Sequence, residues 1–296
     1  MSATPKTSHK YLRPEDLAKL GAFEFAPKLL VEGYLSGRHR SRVRGASVEF
    51  HDYRQYVPGD DLAMVDWRVY ARTDRHYLRT FEQETNLECH LMLDSSASMG
   101  YGGPISKLDY ASFFTAALAY LVFRQRDRVS LLTFDEKIRS FLPPSGTSRH
   151  LNEMLHLLEN NTPGSKTSLS VALRKAGPLL KRRGTLVIVS DFFDDPGAIF
   201  SALSIYLHRG FRVHLFHILD PTEMELPGDG LLSYVDMESR HRTVAHAGDI
   251  RRAYQTAIGQ HIENLRRLAA AKQIDYALAR TDHSFFNLFD HLCDHR

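Results

Sequence analysis

Cysteine is almost missing from this chain. Cys89 and Cys293 are the only two in 296 residues, and their separation argues against a disulfide framework and for reduced thiols. Long apolar runs are missing too: no stretch of about 18 apolar residues occurs, so a membrane-spanning helix is not expected. The start, Met1 to Lys10, is polar and lacks the apolar segment of a signal peptide, which makes the cytoplasm the expected address. There is no internal repeat, no low-complexity tract and no Gly/Ser linker. A strong excess of one sign of charge is missing as well, with 38 Lys and Arg against 35 Asp and Glu. A net charge of +3 does not by itself direct the chain to nucleic acid.

What is present reads as two parts. Residues 1–80 form an N-terminal extension with a disordered tip, two helices (from Pro14, and from Pro27 to Leu35), and a basic segment. It closes with an aromatic, charged stretch from Glu49 to Arg72 that reads poorly as helix or strand. Residues 81–296 carry a different grammar, beginning with a strand that enters it from Tyr77. Apolar strands near 87–93, 129–134, 185–190, 212–219 and 274–279 alternate with helices near 107–126, 149–159, 168–180, 198–208 and 249–272. A return strand near 138–142 and a hairpin over 232–244 complete it. This alternation indicates an α/β fold with a doubly wound, mainly parallel sheet.

In such a sheet, ligands bind at the carboxyl ends of the strands, where the winding direction reverses. Two of the strands end in aspartate, at Asp94 and Asp191. A carboxylate at the end of a buried strand needs a partner for its charge. Asp94-x-Ser96-x-Ser98 places one carboxylate and two hydroxyls on a single turn. Thr167 adds a hydroxyl from another loop, and Asp191 a second carboxylate. Hard oxygen donors of this kind suit Mg²⁺ or Mn²⁺. Few carboxylates and several neutral oxygens leave such a metal electrophilic, with a coordination position open to a partner's carboxylate. The triplet alone is weak, because aspartate and serine are common in caps and turns. Its place after an apolar strand, with Thr167 and Asp191 downstream, gives it weight.

Asp94-Ser-Ser-Ala-Ser-Met99, Thr167-x5-Leu173 and Val189-Ser-Asp191 match the von Willebrand factor A pattern. Upstream, Glu49-Phe-x2-Tyr-Arg-x-Tyr-x-Pro-Gly-Asp-Asp61, Asp66-Trp-Arg68, Ala71-Arg72 and Phe81-Glu-x-Glu84 resemble the bacterial "domain of unknown function fifty-eight" family. The resemblance covers roughly residues 30–295. It implies a von Willebrand factor A-like, Rossmann-type fold and Mg²⁺ at an adhesion site. It also implies a non-enzymatic adaptor or partner of a MoxR-type AAA+ ATPase in chaperone-like assembly or maturation. Some relatives carry transmembrane helices before this region; this chain resembles the branch without them.

Other features are set against bland explanations. Arg38, Arg40, Arg42 and Arg44 alternate and can share one face toward phosphates or an acidic protein; a solvated loop, or pairing with Asp60, Asp61 and Asp66, is the simpler account. No base-reading module accompanies them, so a nucleic-acid scaffold is only an alternative. Trp67, the single tryptophan, is expected as a packing anchor between a paired Asp66 and Arg68. These residues form a candidate partner surface. Gly164-Ser-Lys-Thr167 fails as a phosphate loop, because the two glycine positions hold Ser165 and Asn160. His291 and His295, with Cys293 between them, have chelating spacing but no completing pair. A metal-dependent phosphohydrolase using Asp94 and Asp191 is the enzymatic alternative, and it lacks visible acid/base groups at the strand ends. No catalytic residues are expected.

Overall fold

The computed structural model describes residues 9–13, 16, 49–56, 65–82, 88–166, 168–237 and 241–289. By its packing the chain divides into two compact units, His39–Asn86 and the remainder. The expected division at residue 80 is therefore displaced to about residue 86, and the first residues belong with the larger unit. The reason lies in Tyr11. Within a stretch read as disordered, it is buried, sets its ring edge-on against Phe113 at 5.0 Å, and donates its hydroxyl to Asp109 at 2.7 Å. The two expected helices of the extension and its arginine segment lie outside the described residues, apart from residue 16.

In the smaller unit, strand β1 (Glu49–Gln55) pairs antiparallel with β2 (Tyr77–Glu82), with an irregularity between Phe50 and Asp52. Helix α1 (Trp67–Thr73) lies between them in sequence. The ambiguous stretch thus resolves into a strand and a short helix. Asp66 caps that helix, accepting from the backbone N–H of Arg68 at 2.9 Å and Val69 at 3.4 Å. So Asp66 meets Arg68 through the main chain, where a side-chain ion pair was expected. Trp67 is 57% exposed and stands edge-on to Tyr70 and His76. It is not the buried packing anchor that was expected: an N1 residue on a helix with no buried positions faces outward.

The larger unit is built on a six-stranded sheet in the order β10-β7-β6-β3-β4-β5. Its strands are β3 (Glu88–Asp94), β4 (Arg128–Phe134), β5 (Ile138–Ser145), β6 (Thr185–Ser190), β7 (Arg212–Leu219) and β10 (Asp275–Arg280). All neighbours are parallel except β5, which returns antiparallel along β4. A separate hairpin joins β8 (Leu231–Val235) to β9 (Arg242–His246). The helices are α2 (Lys107–Arg124), α3 (Ser148–Glu159), α4 (Leu169–Ala176), α5 (Pro196–His208), α6 (Pro221–Glu225) and α7 (Ala247–Ala271). This is the doubly wound, mainly parallel sheet expected from the sequence.

Every residue of β3 and β6 is buried, because helices cover both faces of a parallel sheet. Their side chains alternate between two cores. Leu91, Leu93, Val187 and Val189 meet the alanines and phenylalanines of α2. Met92, Leu186 and Ile188 meet α4 and α5 on the other face. From β3 the chain winds toward β4 and β5, then crosses back to β6, β7 and β10. The reversal therefore falls between β3 and β6, whose carboxyl ends carry Asp94 and Asp191.

No helix among the described residues is long and apolar enough to cross a membrane. Cys89 is a buried free thiol, and burial pushes it up to about 12, well away from reactive thiolate chemistry.

Candidate metal centre at the switch point

Asp94 is the last residue of β3 and is fully buried. Its Oδ1 accepts the backbone N–H of Ser96 at 2.9 Å, and its Oδ2 accepts the Ser190 hydroxyl at 2.6 Å. The chain then tightens into a 3-10 turn over Ser98–Gly100, which brings Ser96 Oγ and Ser98 Oγ to 3.1 Å. A second loop braces the first: Gly164 N donates to Ser95 O at 2.6 Å, Ala97 N to Ser165 O at 2.8 Å, and Asn161 Nδ2 to Ser95 Oγ at 2.8 Å. Gly164 is required here. A Cβ on it would stand 2.5 Å from Asp135 Oδ2 and 3.1 Å from Ser95 O. Thr167 lies outside the described residues.

Asp191 follows β6 and is equally buried. Phe192, next in the chain, holds a left-handed φ of 52°, a strained setting for a bulky residue. Its N–H donates to Ser190 Oγ at 3.0 Å, so Ser190 links the Phe192 turn to Asp94. Unlike Asp94, Asp191 has a fixed cation: the Lys107 ammonium donates to its Oδ2 at 2.7 Å and to Glu223 Oε1 at 2.6 Å. Lys107 itself is fully buried. The Phe193 N–H lies 3.5 Å from Asp191 Oδ1. The structure thus brings Asp94, Ser96, Ser98 and Asp191 to the same end of the sheet.

The electrostatics of the two carboxylates diverge. Burial pushes Asp94 up to about 7, and the like charge of Asp191 adds to that. Burial opposes ionisation of Asp191 as well, yet the Lys107 ammonium outweighs it and holds Asp191 below the usual range. Glu223 is raised by burial despite Lys107. Three carboxylates share one ammonium, and of these Lys107 bonds Asp191 and Glu223 and leaves Asp94 without it, so a cation beside Asp94 would favour its ionised form. The 3.1 Å between the two serine hydroxyls also matches the edge of about 3 Å that metal–oxygen distances of about 2.1 Å give an octahedron. The residues fit Mg²⁺ or Mn²⁺, held by Asp94, Ser96 and Ser98.

Sequence reasoning missed Lys107, Ser190 and Glu223. Glu223 carried a readable sign: Asp220-Pro-Thr-Glu223 forms a capping box at the start of α6. Ser190 directly precedes the expected Asp191. Lys107 was read only as the first residue of an apolar helix, with no role at the site. Among the other expected site residues, Asp66 and Arg68 serve the α1 cap and Trp67 is exposed; Arg38, Arg40, Arg42, Arg44, Asp60 and Asp61 lie outside the described residues, as do His291, Cys293 and His295. A further cluster was not foreseen. His9, His156 and Glu159 gather with ligand atoms within 4.8 Å of one another, and contacts of 3.1 and 3.4 Å from the two imidazoles to Glu159 account for it.

An α/β domain with an oxygen-donor constellation at its switch point is the class of protein this geometry defines. Residues 52–264 match the model of the family described as "Protein of unknown function DUF58", and the chain belongs to that family. It is 30% identical over 230 residues to an uncharacterized protein of Mycobacterium bovis, covering 76% of this chain and 72% of that protein. Among solved structures it is similar to the conserved hypothetical protein BatB of Bacteroides thetaiotaomicron, with a TM-score of 0.49, 17% identity, and coverage of 70% of this chain and 97% of that one. It is also similar to a von Willebrand factor type A structure from Catenulispora acidiphila. There the TM-score is 0.33 and the identity 14%, over 48% of this chain and 35% of that one.

Proposed function

We propose that this chain is a non-enzymatic, cytoplasmic protein-binding factor that engages an acidic residue of a protein partner through a divalent cation at Asp94, Ser96 and Ser98. The observation that carries this reading is the contrast at the switch point: among the described residues no cation bonds the buried Asp94, two hydroxyls follow it in the same turn, and Asp191 beside it is already neutralised. A divalent cation held there supplies an electrophilic centre for an incoming carboxylate. The chain's own residues do the rest. Ser190 and the Ser96 N–H fix the Asp94 carboxylate, and the loop around Gly164 holds the serine turn in place.

The partner we propose is a MoxR-type AAA+ ATPase or its client, a reading that rests on the family resemblance. The phosphohydrolase alternative is less well supported, because the Lys107 ammonium is tied to both Asp191 and Glu223 and is not free to act as an acid/base group for phosphoryl transfer. The test is binding of the purified chain to a purified MoxR-type ATPase. Association in Mg²⁺ that is lost with Asp94→Ala supports the reading, and association indifferent to that substitution overturns it.

A further inference from the structure

Lys107 occupies a place that physical chemistry disfavours twice. It is the first residue of α2, where the positive end of the helix dipole repels a cation. It is also fully buried, and removing an ammonium from water is costly. Two carboxylates offset those costs, Asp191 at 2.7 Å and Glu223 at 2.6 Å, and the ring of Phe193 lies 5.2 Å from the ammonium. Glu223 is itself held. Its Oε2 accepts the Asp220 N–H at 3.0 Å, and Tyr101, just past the serine turn, bonds Thr222 at 2.9 Å. The ammonium is therefore clamped from two segments, not left to wander.

We propose that Lys107 is a tethered cation that sets the divalent-metal affinity of the Asp94–Ser96–Ser98 site, keeping it weak enough that a partner's carboxylate is needed to complete it. This rests on the metal-site reading above. Two effects act together. The ammonium neutralises Asp191, so a metal ion meets one uncompensated carboxylate where it would otherwise meet two. It also repels a second cation directly, and charges a few ångströms apart in a site of reduced dielectric interact strongly. Occupancy of Asp191 Oδ2 by Lys107 further keeps that oxygen from turning toward the metal. Lys107 is a positioning and tuning residue, since no metal ligand is assigned to it.

The sign of the effect separates this role from a structural one, because damage to the fold weakens metal binding and cannot tighten it. The test is Mn²⁺ titration of the full chain, by calorimetry or by the loss of the free-ion paramagnetic resonance signal, with Mg²⁺ as competitor. Lys107→Met is expected to bind Mn²⁺ at least tenfold more tightly than wild type, and Asp94→Ala added to it to abolish the gain. Glu223→Gln, which removes one negative charge and leaves the ammonium to Asp191, is expected to weaken Mn²⁺ binding severalfold. Equal or weaker binding by a folded Lys107→Met overturns the inference while wild-type binding leaves the metal site standing. If Lys107→Met does not fold, Glu223→Gln with a metal-free Tm equal to that of wild type decides: weaker binding there supports the inference, and unchanged or tighter binding overturns it. Absence of Mn²⁺ binding in both wild type and Lys107→Met overturns the inference and the metal site together.

Discussion

Asp94 and Asp191 end neighbouring parallel strands of one sheet, are equally buried, and face opposite electrostatic surroundings. Around Asp191 the chain supplies a lysine from α2 and the Phe193 N–H. Around Asp94 the donors among the described residues are neutral, the Ser190 hydroxyl and the Ser96 N–H. Burial is the same cost in both regions, and the partner decides the outcome. One carboxylate is neutralised within the fold. The other is the one to which the proposed function assigns a cation.

The largest expected effect sharpens that contrast. Asp191→Ala leaves a buried ammonium with Glu223 alone, and breaking a buried pair costs about 3–5 kcal/mol. Asp94→Asn removes an uncompensated charge and keeps an acceptor for Ser190, so the metal-free fold is expected to be as stable or about 1 kcal/mol more stable. Urea denaturation in chelator measures both. Equal destabilisation by the two substitutions breaks the comparison.

His90, at the other end of β3, extends the same reasoning to a base. It is buried against Ser130 at 2.8 Å. Burial, aided by the charge of Arg209, lowers it from 6.5 to about 4. The unfolded chain therefore takes up this proton first. Stability is full above pH 6.5 and falls as pH drops from 6.5 toward 4. The loss at the low end amounts to at most about 3 kcal/mol, because a tenfold difference in proton affinity between the folded and unfolded chain is worth about 1.4 kcal/mol. His90→Leu is expected to make the slope of stability against pH shallower by about one proton in that window. An unchanged slope contradicts the assignment.

A smaller effect isolates the Asp94 side geometrically. Gly164→Ala must push apart Asp135 and the Ser95 carbonyl, a strain of about 1–3 kcal/mol. It should weaken Mn²⁺ binding severalfold and leave the Lys107–Asp191 pair intact. Thermal melts with and without Mn²⁺ check it, and a metal-induced change in Tm equal to that of wild type counts against the bracing role of the loop. The smallest effect lies in the 39–86 unit. Trp67→Ala removes an exposed ring and should change stability by no more than about 0.5 kcal/mol, whereas a loss of several kcal/mol restores the anchoring role first expected of it.

Much of the fold was legible because its signals are local. The apolar runs of β3 and β6 and their terminal aspartates stand in the sequence as strands that end on charge, and that was enough to place Asp94, Ser96, Ser98 and Asp191 in one crevice. Lys107 was not legible. Its partners lie 84 and 116 positions away, and a lysine at a helix start reads as solvated until the fold buries it. The stretch from Glu49 was ambiguous for a related reason: β1 is defined by pairing with β2 across an irregular register, not by its own alternation. Tyr11 sat in a polar segment whose order comes from α2, about a hundred residues on.

The central claim is that Asp94 holds a divalent cation with Ser96 and Ser98. Calorimetric titration of Mn²⁺ and Mg²⁺ into metal-free wild type and Asp94→Ala tests it most directly. The account predicts one saturable site per chain in wild type and none in Asp94→Ala. Identical titrations of the two proteins contradict it.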